Sequence, residues 1–95
     1  MSRRISNNRI KELKKFRKQY DSINNEILRV LKKRHNLSKK IGKFKKKHNM
    51  KIIDLKREKI MLENLSKKAR KLSLDKTFIN QVFKLIIKNS RNLQK

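Results

Sequence analysis

Apolar residues recur along the first half of the chain with a seven-residue period. With Leu13 at position a, the a series runs Leu13, Tyr20, Ile27, Arg34, Ile41 and His48, and the d series runs Phe16, Ile23, Val30, Leu37 and Phe44. Every d residue is apolar, and a pattern sustained over so many turns predicts one long helix. The cluster Ser6-Asn7-Asn8 offers side chains that can cap the first free N–H groups, and Asn49, just before Met50-Lys51-Ile52-Ile53, marks the far end. About 40 residues at about 1.5 Å each give a rod of roughly 60 Å. A chain of 95 residues cannot wrap its own core around such a rod, so a partner is expected along part of the seam.

Two shorter helices follow. Asp54 is placed to cap the second, whose apolar stripe is Met61, Leu62, Leu65, Ala69 and Leu72. Asp75 is placed to cap the third, with Ile79, Val82, Phe83, Ile86 and Ile87 as its stripe. The predicted layout is a single domain, 1–95, with helices over about 8–49, 54–72 and 75–94. Composition agrees with an all-α chain: there is no proline, and Gly42 is the only glycine.

The net charge of +24 attracts anions of every kind and by itself selects none. Between Ile27 and Ile53 stand eleven Lys or Arg residues and no Asp or Glu, which invites the reading of a nucleic-acid-binding arm. Helical phase argues otherwise. Lys32, Lys33, Lys39, Lys40, Lys43, Lys46 and Lys47 fall at heptad positions that face water. Lys, Asn and Ile are all over-used, as in chains drifting towards A- and T-rich codons, so much of the charge reads as background. No aromatic platform or recognition motif points to specific nucleic-acid binding. The absence of cysteine excludes disulfides and thiolate zinc sites, and His35 and His48 lack metal-ligand spacing. No apolar run approaches the roughly 20 residues of a membrane span, and the N-terminus lacks a signal-peptide core; no membrane association and a cytoplasmic location are expected.

The sharper signal is polar residues in phase with the apolar stripes. Arg34 occupies an a position, Lys45 an e position within about 20° of the same face, and Arg17 an e position four heptads earlier. Glu58 continues the line of Met61 and Leu65, with Asp54 one turn before it, while Ser90 and Gln94 extend the stripe of the third helix. Taken singly, each has a plain reading: a register device, a snorkelling cation, a fraying helix end, and for Tyr20 a core position. Inward cations are costly without partners, however, and seven acidic residues are too few to neutralise them locally. Together they predict a cavity for a small anion. Arg17 and Lys45 lie about 42 Å apart along one helix, so they cannot touch one small molecule within a subunit. An antiparallel homodimer would bring Arg17 to the partner's site and cover the seam.

The runs FRKQYDSINNEILRVLKKRHNLSKKIGKFK, IDLKRE and FKLIIKNSRNLQ resemble the all-helical chorismate mutases over about residues 10–95. The likeness is greatest to the mutase domain that bacteria often fuse to prephenate dehydratase. It implies three helices, one very long, in an intertwined antiparallel homodimer. It also implies conversion of the dianion chorismate to prephenate, a step of aromatic amino acid biosynthesis, with no cofactor. Carried over, Arg17 is lent across the dimer, Arg34 grips a carboxylate, and Lys45 contacts a carboxylate and the ether oxygen. Asp54 and Arg57 stand at the entrance to the second helix, Glu58 bonds the ring hydroxyl, Ser90 binds a carboxylate, and Gln94 donates to the ether oxygen. Two departures concern the scaffold: Asn24 replaces the second Asp of an I-D-x-I-D pattern, and Lys51 and Leu55 stand in a loop that usually carries proline. The alternatives are an isochorismate pyruvate lyase of the same fold and a non-catalytic helical protein that binds through its basic surface.

A dimer would carry twice the +24 charge, and that self-repulsion opposes folding. The melting temperature is therefore expected to rise with added salt or multivalent anions; a melting temperature indifferent to both would contradict this.

Overall fold

A computed structural model describes residues 2–95, with side chains from residue 7 onward. The described residues form three helices and no strand: α1 Ser2–Lys47, α2 Leu55–Lys71 and α3 Lys76–Gln94. The all-helical prediction holds. Helix α1 starts ahead of the Ser6-Asn7-Asn8 cluster, which therefore lies inside the helix rather than capping it; the Ser6 side chain is outside the described residues. No Pro or Gly precedes the cluster to break the helix, and Arg and Ser can extend it without a steric penalty. None of these helices is long and apolar enough to cross a membrane. The chain divides into two compact units, 1–34 and 35–95.

The first unit is a stretch of α1 alone. Its heptad seam, Leu13, Phe16, Tyr20, Ile23, Ile27 and Val30, is 47–69% exposed. A lone helix has nothing within its own unit to bury its stripe against.

The second unit packs α2 and α3 with the end of α1. Helices α2 and α3 run antiparallel: Ser66 Oγ donates to Asn80 Oδ1 (3.0 Å) near one end, and Glu58 pairs with Arg91 near the other. Both start where acidic caps were predicted. The Arg57 N–H donates to Asp54 Oδ1 (3.0 Å) and the Thr77 N–H to Asp75 Oδ1 (3.1 Å), satisfying donors that a helix start leaves free. Ala69 and Ile87 form the buried apolar centre, with Met61, Leu62, Leu65, Ile79, Val82, Phe83 and Ile86 half-buried around it. Leu72, expected in the α2 stripe, is 70% exposed because it is the C-cap residue, where the helical phase has ended.

The end of α1 does not bury the predicted seam. Leu37, Ile41 and Phe44 remain 56%, 39% and 57% exposed, whereas Ser38 and Gly42 are buried and Lys45 half-buried. The buried stripe is one of small residues, and Gly42 explains why. A Cβ at Gly42 would stand 2.5 Å from the Gln94 carbonyl oxygen and 2.6 Å from its Cα. Glycine within a helix costs about 1 kcal/mol relative to alanine; here it lets the C-terminus of α3 lie against α1.

Two left-handed residues end α1 and α2. Asn49 (φ 54°) follows α1, where the Met50 N–H donates to the Lys45 carbonyl (2.8 Å) and the Asn49 N–H to the Lys46 carbonyl (3.3 Å). Ser73 (φ 57°) repeats the pattern after α2, with Leu74 bonded to Ala69 (2.8 Å) and Ser73 to Arg70 (3.1 Å). Both are Schellman caps, which satisfy the last free carbonyls. Asn tolerates this conformation; Ser carries a steric cost that glycine lacks. Ser73→Gly is expected to stabilise the protein by about 0.5–1 kcal/mol after allowing for the looser unfolded chain. Urea denaturation measures it, and an unchanged or lower midpoint would contradict the reading.

Candidate active site

The centre of the candidate site is the ammonium of Lys45, in the last turn of α1. The Schellman cap at Asn49 turns the chain back over the helix end, bringing the Ile52 carbonyl within reach. Lys45 Nζ donates to Ile52 O (2.7 Å) and to Gln94 Oε1 (2.7 Å), so one cation joins the end of α1, the connecting loop and the end of α3. Bonds of this length to a charged donor are the stronger kind. They also fix the amide: an ammonium can only donate, so the Gln94 oxygen faces it and the NH2 group is turned away as a donor. Lys45 has a third N–H beyond these two bonds.

Arg91 lies three residues before Gln94 and so on the same side of α3. It forks onto Glu58 in the first turn of α2: Nε donates to Oε2 (2.8 Å) and Nη2 to Oε1. The Arg91 and Glu58 side chains are 31% and 17% exposed, so water screens the pair only in part. Hydrogen bonding to Glu58, with its charge adding to the effect, raises the Arg91 pKa above its ordinary value, against the smaller opposing effect of burial. Arg91 is charged at any working pH.

The structure thus brings Lys45 and Gln94 into contact, and places Glu58 in a bonded pair that the sequence reading did not include. Asp54 serves as the α2 cap, and the Arg57 side chain is exposed. Ser90 is half-buried, and its Oγ donates to the Ile86 carbonyl (3.0 Å), so it must rotate to donate to a ligand. Arg17, exposed, and Arg34, half-buried, belong to the first unit. Sequence reasoning missed Arg91, Gly42 and the Ile52 carbonyl. The first two carried a readable signal: Arg91 shares a face with Ile87 and Gln94, and Gly42 shares one with Ser38 and Lys45. A backbone carbonyl in a loop carries none.

Among the described residues no three His, Cys, Asp or Glu side chains come together as a metal site. A groove of about 490 Å³ beside α2 and α3 is lined by Lys59, Lys67, Arg70, Lys76 and Lys84 with a single carboxylate, Glu63, and by none of the candidate residues. All five cations are exposed, as solvated background charge should be.

The sequence profile of the family described as chorismate mutase type II matches residues 16–95. The chain is 38% identical over 84 residues to a bifunctional chorismate mutase/prephenate dehydratase of Buchnera aphidicola subsp. Schizaphis graminum (strain Sg), covering 88% of this chain and 22% of that protein. It is 39% identical over 80 residues to the bifunctional chorismate mutase/prephenate dehydratase of Buchnera aphidicola subsp. Acyrthosiphon pisum (strain APS), covering 84% and 21%. A chorismate mutase of Methanocaldococcus jannaschii is 29% identical over 86 residues, covering 90% of this chain and 87% of that protein. The chain spans about a fifth of the length of the bifunctional relatives.

Proposed function

Because the chain belongs to the chorismate mutase type II family, we propose that it rearranges chorismate to prephenate. In this reaction one C–O bond breaks while one C–C bond forms in the same molecule. No atom enters or leaves, and no side chain needs to become a nucleophile. The protein's work is to hold the compact conformer and to stabilise charge as it develops.

The observation that carries the reading is the Lys45–Gln94 pair. Negative charge grows on the ether oxygen as the C–O bond lengthens, so a donor aimed there binds the transition state more tightly than the substrate. The third N–H of Lys45 and the NH2 of Gln94 are two such donors. Their mutual bond (2.7 Å) holds them in register before the substrate arrives. Arg34 serves one carboxylate and Arg57 stands near the site's mouth. Ser90 serves a carboxylate after turning from Ile86, Glu58 accepts from the ring hydroxyl, and Asp54 holds the start of α2.

Arg17 acts in the site of a second copy. Two copies packed antiparallel along α1 would also cover the seam, whose residues from Leu13 to Val30 stand 47–69% exposed. The apolar area at stake is what drives such association. The charge of +24 per chain speeds capture of a dianion and weakens with salt.

Purified protein is expected to consume chorismate and produce prephenate. Lys45→Ala and Gln94→Ala should each lower kcat about 100- to 1,000-fold, the usual loss for a transition-state donor. Rates that survive both substitutions would overturn the site, and release of pyruvate in place of prephenate would overturn the reaction.

A further inference from the structure

A carboxylate is an awkward group to place in a pocket for a dianion. Glu58 would repel the substrate it is meant to orient, and at 17% side-chain exposure solvent can do little to mask that charge. The structure supplies a counter-charge. Arg91 grips both oxygens of Glu58 through two N–H groups of one planar guanidinium, a geometry that fixes direction as well as charge. Each carboxylate oxygen keeps a second lone pair, so Glu58 can still accept a hydrogen bond from a hydroxyl. Arg91 also stands on the face of α3 that carries Gln94, whose oxygen Lys45 holds at 2.7 Å. The two bonded pairs are therefore neighbours at the end of one helix.

Building on the chorismate mutase reading, we propose that Arg91 is a positioning residue: it aims the Glu58 carboxylate at the substrate ring hydroxyl and cancels its repulsion of the dianion. It acts through Glu58 and not by contact with the substrate. Uncompensated like charge should appear chiefly in binding, so the effect belongs in KM more than in kcat.

The test compares KM and kcat for chorismate in the parent, Arg91→Met, Arg91→Lys, Glu58→Gln and the double variant Glu58→Gln/Arg91→Met, with helicity checked by circular dichroism. Arg91→Met is expected to raise KM on the order of tenfold, and Arg91→Lys, which keeps the charge but loses the fork, should fall between it and the parent. In the double variant the stranded negative charge is gone, so its KM should return close to that of Glu58→Gln alone. If Arg91→Met raises KM equally in the Glu58→Gln background, Arg91 touches the substrate directly and the positioning role is wrong. An active parent whose KM is unmoved by Arg91→Met removes the proposal and leaves the mutase reading standing. A folded parent that leaves chorismate unchanged overturns both. If Arg91→Met loses helicity, the Arg91→Lys and double-variant KM values decide by the same comparison.

Discussion

The ammonium of Lys45 is the interaction on which the working end of this chain depends. It ties α1 to the loop through Ile52 and to α3 through Gln94. Each bond rests on a local feature of the sequence. The loop comes within reach because Asn49 adopts a left-handed conformation and turns the chain back. The end of α3 comes within reach because Gly42 has no side chain to hold it off. A half-buried cation with two good acceptors costs little, whereas the same cation stripped of them would be strongly destabilising. The features that build the second unit are thus the ones that hold Lys45 against Gln94. Fold and proposed chemistry share the same few atoms.

The second constraint is how little the chain buries. Among the described residues Ala69 and Ile87 are the buried apolar side chains, and the longest apolar face, on α1, meets water. The proposed second copy would cover that face and would also give Arg17 a site to serve. The excess of cations then looks less like a binding arm than like a field. Among the described residues most sit exposed; Arg34, Lys45 and Arg91 are half-buried, and each has a part in the proposed site, as do the exposed Arg17 and Arg57.

The three helices were readable because their signals are local. Asp54 and Asp75 cap the helices they were expected to cap, since a carboxylate at a helix start needs only its own next two or three N–H groups. The inward phase of Lys45 and Gln94 was readable for a similar reason: helical period alone puts each on a packed face. Three things escaped. The heptad pattern suggested that α1 buries Leu37 and Phe44, but within one chain it buries Ser38 and Gly42, because close backbone approach outweighs apolarity when helices cross at a glycine. In the sequence Arg91 is one more cation in a chain full of them; its partner Glu58 is distant in sequence, so only the packing of α2 against α3 reveals the pair. The start of α1 was misplaced because capping side chains also fit inside a helix when nothing before them breaks it.

That each site is built from two copies is the claim with most at stake, and subunit mixing tests it most directly. Arg17→Ala and Lys45→Ala chains, each expected to be nearly inactive alone, are refolded together in equal amounts and assayed with chorismate. Half of the dimers are then mixed, and each mixed dimer holds one intact site, with Lys45 from one chain and Arg17 from the other. Activity should return to about a quarter of the parent's. A mixture no more active than its components would show that Arg17 does not serve the site of a second copy.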